Sequence, residues 1–322
     1  MGLIEKMEKN QTCIKMVRKA KKMRADSQRK KRVKGTYKFI DRKKDNEKMC
    51  IILAGYKKFL WEDVFGRIEK YAPKDVDFCI VSSGLYSEEL AKIAEKNNWS
   101  YLSVKQNKVT LVQNIAINLH PNAKKIFKLD EDIFITENFF TQLEETYERM
   151  EKEGRYNIGF VAPLLPINGY ANVNFLEKTG LIEKFDQKFG RAYHDGDGQA
   201  PIIKNPDIAK FMWGETEEKL RDIDKLSKEF SEQEFSYSIC SIRFSIGAIL
   251  FPREIWENMG RFRVGLGTNM GQDEVQLCEY CMIESKAIIV SENTVAGHFS
   301  YGPQTNSMKE YYNSHREIFK VK

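Results

Sequence analysis

Short apolar runs alternate with amphipathic stretches between residues 49 and 162, and this alternation restricts the fold more than any other feature of the sequence. The apolar runs lack a two-residue period, which is typical of strands that are covered on both faces. They predict strands at residues 49–54, 77–82, 100–104, 125–129 and 157–162. Apolar residues at helical spacing predict helices at residues 57–70, 87–97, 109–119 and 138–153. Repeated strand–helix units favour an α/β fold with a Rossmann-like, doubly wound, mostly parallel sheet.

The second half of the chain follows a different pattern. Residues 166–210 are rich in Asn, Gly, Asp and Pro and show little periodicity. We therefore predict irregular structure there. We expect residues 166–235 to form one wall of a site and a lid over it. Further elements are predicted at residues 216–231 (helix), 237–251 (strand-rich), 273–284 (helix) and 286–290 (strand). The predicted divisions of the chain are 1–46, 47–165 and 166–322.

Positive charge is concentrated at the N-terminal end. Residues 1–48 hold 18 Lys and Arg against 6 Asp and Glu, whereas the rest of the chain holds 34 against 40. We interpret residues 1–46 as a basic extension, helical or disordered, that is solvated. The alternatives are contact with an anionic membrane surface or, with less support because aromatic residues do not interleave the charges, contact with nucleic acid.

The composition also bears on the compartment. No apolar run approaches the roughly 18 residues that span a bilayer, and the six cysteines are scattered over a long chain rather than grouped as a disulfide framework. We expect a cytoplasmic protein, peripheral at the inner face of the membrane if the basic extension binds lipid.

Three acidic residues, Asp130, Glu131 and Asp132, directly follow the predicted strand 125–129. Unpaired charge beside a buried strand is unfavourable, and a hard divalent cation such as Mg²⁺ or Mn²⁺ would neutralise it. The alternative is that these acids favour a helix N-terminus. In doubly wound sheets ligands lie beyond the carboxyl ends of the strands, so Gly55, Ser82 and Ser83 are expected to share that edge with the acids.

An apolar strand that ends in Asp130-x-Asp132 within such a domain resembles the GT-A glycosyltransferases, especially the family-2-type enzymes. The resemblance covers about residues 48–302. It implies that Asp130 positions the nucleoside and contributes to the metal site, that Asp132 binds the metal, and that Glu131 occupies the variable middle position. It also places the end of the first strand and that of the second around the base and ribose, at Ala54, Gly55, Tyr56, Ser82 and Ser83.

Two later motifs extend the resemblance. Gly271-Gln272-Asp273-Glu274 resembles the Gly-Glu-Asp motif that opens a helix in these enzymes, although Gln272 replaces its Glu. It implies that Asp273, with Glu274 in reserve, is the general base on the acceptor hydroxyl, since a hydroxyl is a poor nucleophile until its proton is removed. His298, after Gly297, would be a further metal or diphosphate ligand. The alternatives are a helix N-terminal acid and a histidine satisfied by its surroundings.

The resemblance implies a metal-dependent transfer of sugar from a nucleoside-diphosphate sugar, with uridine as the expected nucleoside, to an acceptor hydroxyl. Mn²⁺ or Mg²⁺ is the implied cofactor, residues 47–165 the donor-binding half, and residues 166–322 the acceptor-binding and catalytic half. Inversion is expected, because the sequence offers no evident nucleophile for a covalent route.

Two other functions stay open on the sequence. Nucleotidyltransferases share a similar sheet and use of metal, but their Gly-rich loop with a basic residue is incomplete at residues 53–58, which read LAGYKK. A non-enzymatic protein that binds through its basic extension, on a degenerate enzyme fold, is the other alternative.

Two isolated features are ambiguous. Trp213 either stacks on a sugar ring or belongs to the core. Arg261 and Arg263 either hold a phosphate or carboxylate, or are ordinary exposed arginines.

Overall fold

The computed structural model describes residues 11–321, with side chains from residue 14 onward; residues 1–10 of the predicted extension lie outside this range. The strands are β1 (Tyr37–Ile40), β2 (Lys48–Leu53), β3 (Val76–Ser83), β4 (Ser100–Val104), β5 (Lys125–Asp130), β6 (Ile133–Phe134), β7 (Ile158–Leu164), β8 (Tyr237–Cys240), β9 (Ala248–Pro252), β10 (Ala287–Val295) and β11 (Gly297–His298).

The α-helices of the described residues surround these strands. They are α1 (Gln11–Lys31), α2 (Trp61–Tyr71), α3 (Glu88–Lys96), α4 (Val109–Leu119), α5 (Phe139–Glu153), α6 (Ala171–Lys178), α7 (Ile182–Phe189), α8 (Pro201–Lys204), α9 (Pro206–Met212), α10 (Ile223–Ser231), α11 (Arg253–Asn258), α12 (Gln272–Ile283) and α13 (Thr305–Ser314).

Nine strands form one sheet in the order β1-β4-β3-β2-β5-β9-β7-β10-β8. Strands β4, β3, β2, β5, β7 and β10 run in one direction, while β1, β9 and β8 run against them. Strands β3, β4 and β7 are buried at every position, so both faces of the sheet are covered. The predicted α/β class, with a Rossmann-like, doubly wound, mostly parallel sheet, is confirmed.

The five strands predicted between residues 49 and 162 are β2, β3, β4, β5 and β7, and they and the helices α2 to α5 begin and end within four residues of their predicted bounds. Ser87 caps α3, because its side chain accepts a hydrogen bond from the Leu90 amide, as its position before the helix predicts. Ala, Leu, Ile and aromatic side chains from both sides of the sheet fill one continuous core.

The prediction of irregular structure over 166–210 is wrong, because this region contains the helices α6, α7 and α8 and most of α9. Its Pro and Gly residues mark helix ends. Pro201 and Pro206 begin α8 and α9, where a missing N–H costs no hydrogen bond. Gly180 and Gly190 follow α6 and α7 with φ of 65° and 83°, a left-handed conformation that favours glycine.

The predicted helix over 216–231 is also divided. A 3₁₀ turn at Glu218–Arg221 precedes α10, and Asp222 between them caps α10 by accepting a hydrogen bond from the Lys225 amide.

The basic extension contains the long helix α1 and the short strand β1. Strand β1 pairs antiparallel with β4 and forms one edge of the sheet. Among the described residues, no helix combines the length and apolar character needed to cross a membrane.

A separate two-stranded sheet, β6 with β11, lies where β5 ends. Gly297 pairs with Phe134 and His298 with Ile133, and the Phe299 amide donates to the Asp132 carbonyl. A side chain at Gly297 would collide with Trp213, since an added Cβ would lie 2.3 Å from the indole ring. This close approach brings His298 beside the acids that follow β5, although 166 residues separate it from Asp132.

Candidate active site

A cavity of about 470 Å³ opens beyond the carboxyl ends of β2 and β5. Most of the site residues predicted from the sequence line it: Ala54, Tyr56, Ser83, Asp130, Glu131, Asp132, Asp273, Glu274 and His298. Gly55 and Ser82 do not. The Gly55 amide contacts Glu131 beside the cavity, and the buried Ser82 hydroxyl bonds the Leu85 carbonyl and the Tyr101 hydroxyl inside the domain. The structure therefore gathers side chains from both halves of the chain at one opening.

Asp132 is the most enclosed acid of the motif after β5. Its side chain is 6% exposed, and its Oδ2 accepts a short hydrogen bond from the Lys57 ammonium. Burial by itself would raise the pKa of Asp132, but the charge of Lys57 and the nearby His298 outweigh it and hold that pKa well below its usual range. Asp132 is therefore an anion that needs a cation beside it.

His298 faces the same carboxylate oxygen. Its Nε2 lies 3.6 Å from Asp132 Oδ2, and its Nδ1 lies 2.7 Å from the Ile167 carbonyl oxygen, which can only accept a hydrogen bond. In the neutral ring Nδ1 therefore carries the proton, and the lone pair of Nε2 points toward Asp132. In the protonated ring Nε2 also carries a proton and faces Asp132 as a donor, and this is the form that lowers the pKa of Asp132. A backbone carbonyl that fixes the far nitrogen in this way is the usual second partner of a metal-binding histidine.

The donor set fits a divalent cation only in part. One carboxylate and one imidazole nitrogen face each other, a combination that suits Mn²⁺. Among the described residues, however, no three His, Cys, Asp or Glu side chains form a ready metal cage. Any ion here needs further oxygen ligands from a substrate or from water, which is the usual situation for ions that bridge phosphates.

Asp130 faces the open cavity, with a side chain that is 37% exposed. Its Oδ1 lies 2.7 Å from the ammonium of Lys128, which also donates to the Ile246 carbonyl at 2.8 Å. Loss of hydration raises the pKa of Asp130 to about 6; Lys128 opposes this shift, and the charges of Asp132 and Asp273 add to it. The carboxylates at this edge repel one another, and the positive charges of Lys57 and Lys128 offset that repulsion.

Sequence analysis missed both lysines as partners of the acids. Lys128 lies in an apolar strand two residues before Asp130, and alternation along a strand puts both on one face. Burial disfavours its charge, but Asp130 and Asp273 outweigh burial and raise the pKa of Lys128, so it stays protonated. The sequence signal that could have revealed this pairing is a lysine within an apolar strand, two residues before an acid.

Glu131 joins the loop after β2 to the acidic loop after β5. Its two oxygens accept hydrogen bonds from the Gly55 amide at 2.9 Å, the Tyr56 amide at 2.8 Å and the Trp61 indole at 2.6 Å. Three donors on one carboxylate, buried beside a helix start, fix the two loops relative to each other. The side chain thus positions the cavity wall, a role that its predicted variable middle position did not suggest.

We expect Glu131→Gln to lower the free energy of unfolding by about 1–3 kcal/mol, because the amide turns a donor toward N–H groups that need an acceptor. It should also weaken nucleotide binding, since Tyr56 lines the cavity. Urea denaturation measures the first effect and calorimetric titration of a nucleoside diphosphate the second. Glu137→Gln, at an exposed acid six residues on, is the matched control. Equal unfolding free energies and equal nucleotide affinities in the two variants would contradict the proposal that Glu131 fixes the two loops.

Asp273 and Glu274 lie in the first turn of α12 and line the cavity. Asp273 accepts a 2.7 Å hydrogen bond from the neutral amide of Gln113. Glu274 instead pairs with Arg243 at 3.1 Å, and burial raises its pKa although Arg243 partly offsets the shift. Asp273 is held only by a neutral amide, whereas Glu274 is already engaged in an ion pair that would have to open, so Asp273 is the stronger candidate for a base.

Tyr56 and Ser83 form the cavity wall beyond β2 and β3. The Tyr56 hydroxyl lies 3.0 Å from the Ser83 carbonyl and 2.9 Å from Asn107 Oδ1, which also accepts from the Ser83 hydroxyl at 3.1 Å. The ring of Tyr56 is exposed. This wall therefore presents an aromatic face whose orientation is fixed by Asn107, a residue that sequence analysis missed.

Trp213 belongs to the core rather than to a sugar-binding surface. It is buried, packs edge-on against Phe134, and directs its indole N–H at the carbonyls of His298 and Phe299. Its contribution to the site is indirect, since it supports the strand that carries His298.

Comparison with known proteins adds little. No protein-family model matches the sequence, and no curated protein is significantly similar to it. Among solved structures, the chain is similar to the mannosyltransferase PcManGT from Pyrobaculum calidifontis in complex with GDP-Man and Mn²⁺, with a TM-score of 0.45 and 11% identity, over 91% of this chain and 70% of that one. A likeness this distant carries no argument about function.

Proposed function

We propose that this protein is a metal-dependent glycosyltransferase that moves a sugar from a nucleoside-diphosphate sugar to an acceptor hydroxyl, with inversion. The observation that carries the proposal is one cavity that holds two carboxylates, Asp130 and Asp132, two lysines that neutralise them, and a separate carboxylate, Asp273, on another element. The two lysines, together with Asp130 and Asp132, suit the binding of a diphosphate with a metal ion. The acid at the start of α12 suits removal of a proton from the acceptor.

The nucleoside would bind against the wall formed by Tyr56 and Ser83. The exposed Tyr56 ring offers a stacking surface for a base, since every base has a π face. Asp130, which faces open space in the cavity, would accept hydrogen bonds from ribose or base. Uridine is the nucleoside we expect.

A Mn²⁺ or Mg²⁺ ion would be held by Asp132 and His298, with Asp130 at its side and the diphosphate supplying the remaining ligands. When bound, the ion neutralises the negative charge that grows on the leaving diphosphate. The hydrogen bond between His298 Nδ1 and the Ile167 carbonyl supports this assignment, because it turns Nε2 toward Asp132. Lys57 would leave Asp132 and turn toward a phosphate oxygen; it lies at the cavity wall and is partly exposed, so its side chain has room to move.

Transfer then needs a base on the acceptor side. Asp273 takes the proton of the acceptor hydroxyl as its oxygen attacks the anomeric carbon from the face opposite the diphosphate. The new bond forms as the bond to the diphosphate oxygen breaks, and the configuration inverts. The Gln113 amide keeps the Asp273 carboxylate oriented toward the acceptor without supplying a competing charge.

Ligand-dependent thermal stability tests the donor assignment. We expect nucleoside diphosphates to raise the melting temperature in the presence of Mn²⁺ but hardly in its absence, because a ligand that binds only the native state stabilises it in proportion to its affinity. UDP, GDP, CDP and ADP, each with Mn²⁺, Mg²⁺ or a chelator, form the screen. Adenosine monophosphate, which lacks the β-phosphate, is the control.

Metal-dependent stabilisation by a nucleoside diphosphate, followed by release of that diphosphate from its sugar conjugate, supports the proposal. Release of pyrophosphate from a nucleoside triphosphate and a sugar phosphate would instead identify a nucleotidyltransferase. No stabilisation by any nucleotide, with or without metal, would contradict both functions.

A further inference from the structure

Helix α1 presents a strongly positive surface that the proposed reaction does not use. Residues 14–31 contain nine Lys and Arg and one acid, Asp26. All of these basic side chains except Arg29 are exposed. Within this part of the helix, the only ion pair joins Arg29 to Asp26, at 3.6 Å. Met16, Val17 and Met23 are exposed between the charges. Exposed lysines and arginines on a helix attract anionic lipid headgroups.

The C-terminal end of α1 is fixed to the catalytic domain by hydrogen bonds to main-chain carbonyls. The Arg32 guanidinium donates to the Gly260 carbonyl at 2.6 Å and to the Arg261 carbonyl at 3.0 Å. In return, Arg261 donates to the Arg29 carbonyl at 2.9 Å, and Asn114 donates to the Arg32 carbonyl at 3.0 Å. Arg261 therefore has a structural role, because it helps to fix the C-terminal end of α1 at a defined position on the domain.

Positive charge is also crowded at this junction. Burial lowers the pKa of Arg32, and the charges of Arg263 and Arg29 lower it further. Burial and Arg29 act on the pKa of Arg261 in the same direction. Arginines that repel one another gain from a multivalent anionic surface, because the surface relieves the repulsion.

The chain runs from this junction directly to the rim of the cavity. Residues 264–271 lead from Arg263 to α12, and two large apolar side chains in this segment face solvent: Leu266 is 97% exposed and Met270 72% exposed. Met270 and Gly271 line the cavity. The rim is attached to the rest of the domain, since the Lys108 ammonium donates to the Gly265 carbonyl and the Val109 amide to the Thr268 carbonyl. Apolar side chains therefore project at the mouth of the site, next in sequence to the segment around Arg261 that anchors the basic helix.

We propose that α1 and the 264–271 rim bind the surface of an anionic lipid bilayer, and that the acceptor hydroxyl belongs to a lipid in that bilayer. The identity of the acceptor rests on the proposed glycosyl transfer, whereas membrane binding does not. Lysine and arginine side chains supply attraction to anionic headgroups, and Leu266 and Met270 enter the boundary between headgroups and acyl chains. This arrangement places the cavity mouth at the level of the headgroups.

Nucleic acid fits this surface less well. Residues 11–31 contain no aromatic side chain on which bases could stack. The exposed apolar side chains of α1 and of the rim would gain nothing from contact with phosphate, but they would leave water on entering a bilayer.

Vesicle sedimentation with the full chain tests membrane binding without any substrate. We expect the protein to sediment with vesicles of phosphatidylglycerol and phosphatidylcholine about tenfold more than with phosphatidylcholine alone, and added salt should release it, since the attraction is screened within a Debye length. The triple variant Lys15→Glu, Lys19→Glu, Lys22→Glu should lose this binding. Lys74→Glu, Lys92→Glu, Lys152→Glu makes the same charge change at exposed sites elsewhere and should bind as the original protein does.

The double variant Leu266→Ser, Met270→Ser tests the contribution of the rim to vesicle binding independently of the helix. It should still respond to salt but bind anionic vesicles more weakly, because the apolar contribution is gone. Equal sedimentation with charged and neutral vesicles, or equal losses in the two lysine variants, would overturn the membrane proposal. Tighter binding of an oligonucleotide than of anionic vesicles at the same salt concentration would overturn it in favour of nucleic acid.

Incorporation of labelled sugar tests the acceptor. With vesicles and a labelled donor, label should appear in the organic phase, and the lysine triple variant should lose this transfer while still hydrolysing donor in solution. Label confined to water-soluble products would refute the lipid acceptor even if vesicle binding is found. Absence of all donor turnover, with vesicle binding retained, would refute the proposed function and leave the membrane surface in place.

Discussion

Replacing Asp132 with alanine is expected to abolish metal-dependent donor cleavage. Partners in the outer shell of a metal site typically contribute 10–100-fold to affinity or activity, so loss of a direct ligand should lower kcat/KM by more than about 100-fold. The variant also leaves Lys57 and His298 facing each other without the carboxylate that both now contact. The remaining pair carries no negative charge with which to hold a cation.

Two measurements separate loss of the site from loss of the fold. Electron paramagnetic resonance of Mn²⁺, with a nucleoside diphosphate present, should show bound ion in the original protein and free ion in the Asp132→Ala variant. Far-ultraviolet circular dichroism should be unchanged, because Asp132 lies in a loop rather than in a strand. Glu137→Ala removes an exposed acid five residues away and serves as the matched control. Full activity of Asp132→Ala would refute the metal assignment.

The parts of this site that could be predicted are those encoded locally. The run of apolar residues in β5 and the acids that follow it lie within eight positions, and the rule that ligands lie beyond the ends of parallel strands places Asp130 and Asp132 at the cavity. Asp273 and His298 were predicted from motifs that resemble those of the GT-A glycosyltransferases, and both line the same cavity. Their meeting in one cavity depends on contacts that are distant in sequence, namely the pairing of β11 with β6 and the hydrogen bond from Gln113 to Asp273.

The parts that could not be predicted depend on pairings distant in sequence. The antiparallel strand β9 lies between β5 and β7, although about 80 residues separate it from β7. Its position brings the Ile246 carbonyl to Lys128, and this contact together with the charges of Asp130 and Asp273 makes a buried lysine tolerable. The pairing of Lys57 with Asp132 likewise depends on the β2–β5 register, in which Leu53 lies opposite Asp130. The hydrophobic periodicity of the sequence predicts neither the Lys128 contacts nor the pairing of Lys57 with Asp132.

Asp273→Asn is expected to lower kcat by about 10²–10⁴-fold, the range over which a positioned general acid or base contributes to a reaction. The amide keeps the size of the side chain, and its oxygen can still accept the hydrogen bond from Gln113, but it cannot take a proton from the acceptor. Because the hydrogen-bond partner of the Asp273 side chain is Gln113 rather than a proposed metal ligand, Mn²⁺ and nucleotide affinity should change much less than kcat. A loss confined to kcat distinguishes a base from a residue that merely binds donor.

The neighbouring acids provide the comparison. Glu279→Gln, at an exposed position on the same helix α12, should leave kcat as it is in the original protein. Glu274→Gln should have a smaller effect than Asp273→Asn, since the charge of Glu274 is directed to Arg243 rather than to a reacting proton. If Glu274→Gln instead causes the larger loss of kcat while Asp273→Asn stays active, the base is Glu274, and the Arg243 pair must open during the reaction. The ratio of the two kcat values therefore decides which carboxylate of α12 removes the proton.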